Sequence, residues 1–106
     1  MRSWPVDMNI AYYRWLECEV APGLFDSERR VRFIVDRDQR GDAIDLFVDS
    51  GLVRECGEVK RGRSVPGRFR VCVVKQEGAT AVVLLPVQSE KYGSYVAVLS
   101  DQLASN

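Results

Sequence analysis

A chain of 106 residues, 46% apolar and 28% charged, fits one small folded domain rather than two cores or a disordered segment. Fifteen basic residues balance fifteen acidic ones, so no global positive field draws the chain to a polyanion or an anionic membrane. Histidine is absent, and Cys18, Cys56 and Cys72 form no CxxC pair, which removes the commonest general base and the usual zinc ligand sets.

Residues 1–9 read as an N-terminal arm, because Trp4-Pro5 and Asp7 interrupt any periodic pattern. That segment lacks the apolar core of a signal peptide, and Met8 is a second candidate start. A single β domain is expected over 10–103, ahead of a flexible tail at 104–106. Ile10 to Val20 alternates with a period of two: Arg14, Leu16, Cys18 and Val20 share one face, and Tyr13, Trp15, Glu17 and Glu19 the other. Ala21-Pro22-Gly23 suits a type II turn, and Asp26 or Ser27 is placed to cap one helical turn. Arg29 to Asp36 alternates again, with Val31, Phe33 and Val35 inward and Arg30, Arg32 and Ile34 outward. After a polar loop, Ala43 to Val48 aligns Ile44, Leu46 and Val48; Asp49-Ser50-Gly51 then turns the chain, and Leu52-Val53 resumes pairing.

Glycines, Pro66 and clustered basic residues make Arg54 to Arg68 an extended exposed loop. Arg68 to Lys75 is the next strand, followed by a hairpin at Gln76-Glu77-Gly78 and the apolar strand Ala79 to Leu85. A polar loop from Pro86 to Gly93 leads to a strand at Tyr95 to Leu99 and a capped helical turn at Ser100 to Leu103. The fold class expected is mainly β: a five- to six-stranded antiparallel barrel or sandwich with one or two short helical turns. The last forty residues, with their hairpin, loop, short strand and single helical turn, resemble the end of an SH3-like barrel. That resemblance concerns fold and carries no function. No run approaches the ~18 apolar residues of a membrane span, so no membrane partner is expected and the cytoplasm is the default location.

Two strings imitate known motifs. Gly57 to Ser64 is one residue from a phosphate-binding loop, with Arg63 where the lysine belongs, but Pro66 and Gly67 bar the helix that must follow. Asp36 to Phe47 opens like a calcium loop, yet places Arg40 among the ligands and Phe47 where a bidentate glutamate belongs. No catalytic residue, metal ligand set or cofactor is assigned. Glu17 and Glu19, two apart on one strand face, carry a third and weakest reading, a small enzyme with a carboxylate site.

Two surfaces stand out. Residues 54–75 hold seven basic residues against two acidic ones. Arg54, Lys60, Arg61, Arg63, Arg68 and Arg70 are therefore candidate polyanion contacts, although no aromatic residues are interleaved among them. Tyr13 and Trp15, with Trp4 upstream and Ile34 also outward, form a candidate interface. The leading reading is a non-catalytic binding or assembly module with a protein partner, including a homodimer through that aromatic face. The alternative is a nucleic-acid-binding barrel that uses the basic segment.

Overall fold

The computed structural model describes residues 12–37 and 40–104. Eight antiparallel strands follow one another: β1 (Tyr12–Pro22), β2 (Glu28–Arg37), β3 (Arg40–Asp49), β4 (Val53–Glu55), β5 (Val65–Glu77), β6 (Thr80–Ser89), β7 (Gly93–Leu99) and β8 (Leu103–Ala104). Single 3-10 turns at Ser50–Leu52 and Ser100–Gln102 are the helical elements among the described residues. The sheet runs β3-β2-β1-β5-β6-β7 and curls into a half-barrel, so the mainly-β expectation holds. The two strands beyond the expected six are short: β4 adds to β5, and β8 adds to β1.

Alternation dictates the layers. Leu16 and Val20 of β1, Val31, Phe33 and Val35 of β2, and Ile44, Leu46 and Val48 of β3 all point into the core. Phe69, Val71 and Val73 of β5 meet them there, and the Phe33 and Phe69 rings pack tilted with centroids 5.0 Å apart. β6 is apolar on both faces because Ala81, Val83 and Leu85 line the core while Leu84 is buried on the other side.

Several boundaries differ from the sequence pattern for local reasons. Gly23 has no positive φ, so the turn after β1 is not type II; instead Glu28 crowds within 2.8 Å of where a Gly23 Cβ would lie. The Gly23 N–H donates to Glu28 O, and the Glu28 N–H to Phe25 O, closing a bend with no helical turn at 24–27. The Asp36–Asp42 string lies across the β2–β3 hairpin, where Asp36 pairs with Gly41 and Arg37 with Arg40. β5 begins at Val65, inside the expected loop, and β6 runs on to Ser89. There the buried Ser89 hydroxyl donates to Gly93 O at 2.7 Å and accepts from the Tyr92 N–H, tying off the turn into β7. Ala104, expected in a loose tail, pairs with Trp15. Among the described residues, no helix is long and apolar enough to cross a membrane.

Candidate functional site

β1 is a long central strand that exchanges neighbours along its length. It pairs with β5 from Tyr12 to Val20, with β8 at Trp15–Leu16 and with β2 from Glu19 to Pro22. Its outward residues therefore acquire cross-strand partners from distant sequence. Trp15 sits opposite Arg70, Tyr13 opposite Cys72, and Glu17 opposite Arg68, which in turn faces Arg54 on β4.

The side chains interdigitate. The Arg54 guanidinium lies 4.3 Å from the centroid of the Trp15 ring. Arg70 lies 4.7 Å from the Tyr13 ring and 5.9 Å from that of Trp15. A guanidinium this close to a ring is attracted by the ring quadrupole, and its N–H donors are suited to an oxyanion. Stacking also fixes the long side chain before any ligand arrives, so less rotamer freedom remains to be lost on binding. Tyr13 stays 46% exposed while Trp15 is half-buried under its arginines. Arg54, Arg68 and Arg70 against Glu17 and Glu19 leave this face with a small positive excess in a chain of zero net charge.

One row along, the outer face becomes apolar. Cys72 pairs with Leu84, and Leu84 with Tyr95. Cys72 and Leu84 are 1% and 5% exposed, whereas Tyr95 is 55% exposed.

The structure thus joins Tyr13 and Trp15 to Arg54, Arg68 and Arg70, two groups that the sequence presents as separate surfaces. Ile34 does not join them. It lies on β2, where Gln102 of the second 3-10 turn donates its Nε2–H to the Ile34 carbonyl at 3.0 Å. Trp4 lies outside the described residues. Lys60, Arg61 and Arg63 occupy a tight turn between β4 and β5, and Lys60 is ion-paired with Glu58 at 3.5 Å. The aromatic partners missing from segment 54–75 come from β1. Only the register between two non-adjacent strands places them there, and no local pattern reports it.

Glu17 and Glu19 do share a face, and each has a polar neighbour: Glu17 lies across from Arg68, and Glu19 accepts a hydrogen bond from the Ser64 hydroxyl at 3.2 Å. Both stand at the rim of a cavity of about 460 Å³ that opens where β1 parts from β2, lined by Cys18, Phe33, Ile34 and Leu99. Burial, with lesser contributions from Cys56 and Glu19, pushes the Cys18 thiol up to about 12, so at neutral pH it is protonated and a poor nucleophile. Among the described residues, no group of three or more Cys, Asp or Glu side chains is placed to hold a metal ion.

No protein-family model, curated protein or solved structure matches the chain.

Proposed function

We propose that the chain is a non-catalytic binding module that holds a single-stranded nucleic acid across the outer face of β1, β4 and β5. The observation that carries this reading is the stacking of Arg54 and Arg70 on Trp15 and Tyr13. Single-strand binders combine cations that follow the phosphates with aromatic rings on which bases stack, and both are brought together here on one rigid sheet. Zero net charge counts little against it, because the phosphates meet the local charge of this face.

Self-association through the same face is the competing reading. The central apolar residues Cys72 and Leu84 are already buried within the chain, and arginines flank the exposed rings. Charged residues are depleted from the cores of protein interfaces, which favours the anionic ligand. The C-terminal part is read as SH3-like on the same terms: a hairpin, then a single 3-10 turn, then a short strand returning to pair with β1.

Fluorescence anisotropy with labelled mixed-sequence DNA and RNA oligonucleotides tests the proposal. With three phosphates contacted, log affinity is expected to fall against log salt with a slope of about −2. Trp15→Ala should weaken binding by about 1–3 kcal/mol, the usual worth of one stacked base. Absence of any shift at low salt, or a salt-insensitive one, overturns it. Concentration-dependent dimerisation by light scattering that Trp15→Ala abolishes, without oligonucleotide binding, establishes self-association instead.

A further inference from the structure

The remaining basic residues of the segment form a second constellation. Lys60 to Arg63 is a four-residue turn closed by the Arg63 N–H donating to Lys60 O at 3.2 Å. Gly62 holds the third position at φ +84°, a conformation that favours glycine, so the turn sets Arg61 and Arg63 on either side of a residue without a side chain. Both arginines line a cleft of about 490 Å³ that is also lined by Arg30 of β2 and the Ala21–Gly23 bend. Arg30 sits directly across from Ala21 in the β1–β2 ladder, which fixes its place at the cleft.

Most of the other cations with described side chains already have a partner, Arg32 excepted. Arg29 is paired with Glu55, Lys60 with Glu58, Lys75 with Glu77 and Lys91 with Asp42, while Arg54 and Arg70 lie on aromatic rings. The side chains of Arg30, Arg61 and Arg63 have no ion-pair or hydrogen-bond partner among the described residues. No carboxylate lines the cleft; Glu19 reaches its edge only by accepting the Ser64 hydroxyl at 3.2 Å. Three like charges around one concavity repel one another, and a multiply charged anion relieves that repulsion. Guanidinium forks match the tetrahedral oxygens of a phosphoryl group in paired N–H···O contacts.

We propose that this cleft is a phosphoryl-binding site, separate from the Trp15 face, that takes a free polyphosphate or the terminal phosphate of a nucleic acid. Its volume falls within the range of small-molecule sites, about 300–1,000 Å³, and exceeds the needs of one phosphate. The site is not a phosphate-binding loop of the helix-capping kind, although its sequence lies one residue from that motif. Pro66 and Gly67 are part of strand β5, so recognition rests on side chains and not on helix N-terminal amides. The proposal does not depend on nucleic acid binding at Trp15.

Isothermal titration of the full chain with inorganic pyrophosphate at low salt is the test. One saturable site is expected, weakened at least tenfold by Arg61→Gln, by Arg63→Gln and by Arg30→Gln, and unchanged by Trp15→Ala or Arg54→Gln. Circular dichroism confirms that each variant is folded. No saturable binding overturns the proposal, as does an equal loss with Arg54→Gln, which would mark diffuse attraction to a basic protein. A second arm identifies the source of the phosphate, using Trp15→Ala protein and one oligonucleotide with or without a 5′-phosphate. Preference for the phosphorylated strand that Arg61→Gln removes assigns the site to nucleic-acid ends; equal affinity for both strands assigns it to free polyphosphate.

Discussion

Cys18 shows how one position on a strand sets a chemical property. It follows Leu16 on the inward face of β1 and packs against the core, and burial raises its thiol from 9.0 to about 12. The folded state therefore holds this proton more tightly than the unfolded chain does. The stabilisation is complete below pH 9 and is lost progressively as pH rises from 9 toward 12. Denaturant unfolding at neutral pH and at pH 10.5 should show a larger loss of stability in the wild type than in Cys18→Ala. If the two lose stability equally, the thiol is not the titrating group. The same burial orders the cysteines in native alkylation: exposed Cys56 should react with iodoacetamide at pH 8 well before Cys18, read by mass spectrometry. The period of two makes the inward placement of Cys18 legible from sequence alone. The sequence also places Tyr13 and Trp15 outward, but it gives no sign that Arg54 and Arg70 lie on their rings. That contact belongs to strand pairing and not to any single residue's pattern.

At the scale of an element, β5 is where local signals mislead. Pro66 and Gly67 read as loop, since proline lacks a donor and glycine weakens a strand, yet both lie within β5. Pro66 pairs with Glu19, and its carbonyl accepts the Cys56 N–H at 2.8 Å. Gly67 is required by close approach: a Cβ there would lie 2.6 Å from the Arg54 carbonyl oxygen and 2.6 Å from a Val20 methyl. Its missing side chain lets β4 lie against β5 beside β1, and β4 carries Arg54 to Trp15. Gly67→Ala should cost about 1–3 kcal/mol, as overpacking does, measured by urea unfolding. It should also displace Arg54 and weaken oligonucleotide binding beyond what its stability loss explains. A fully stable Gly67→Ala protein would mean that β4 yields without strain. The strands with clean alternation, β2, β3 and β7, were legible because each has one buried and one solvated face. β4 was legible only as resumed pairing at Leu52-Val53 and β8 not at all, since segments of three and two residues are too short to display a period.

At the scale of the whole molecule, the question is how a curled sheet with short connections completes its core. The second 3-10 turn and β8 supply the closing piece. The Leu99 N–H donates to Gln102 Oε1 at 3.0 Å, and Gln102 Nε2 donates to Ile34 O at 3.0 Å, so one side chain fastens the turn and ties it to β2. Directly afterwards Leu103 pairs with Leu16 on β1 and packs against the core. This segment bridges β1 and β2 where their own ladder ends, since β1 and β2 pair only from Glu19↔Arg32 onward. A contact that joins elements from both ends of the chain forms late in sequence separation and should be felt throughout the fold. Leu103→Ala is expected to cost roughly 2 kcal/mol, at the low end for leucine because the side chain is only partly buried. In a domain of this size that lowers the melting temperature by about 4–8 °C for each kcal/mol lost. The shift should appear as one transition, with near- and far-ultraviolet dichroism coincident, because the same core receives residues from every long strand. An early partial transition, in which the β1–β2 signal is lost first, would show that β8 only seals an edge. Gln102→Ala separates the two contributions: it removes the tie to Ile34 while leaving Leu103 in the core, and a shift as large as that of Leu103→Ala would place the closure in the hydrogen bonds and not in the packing.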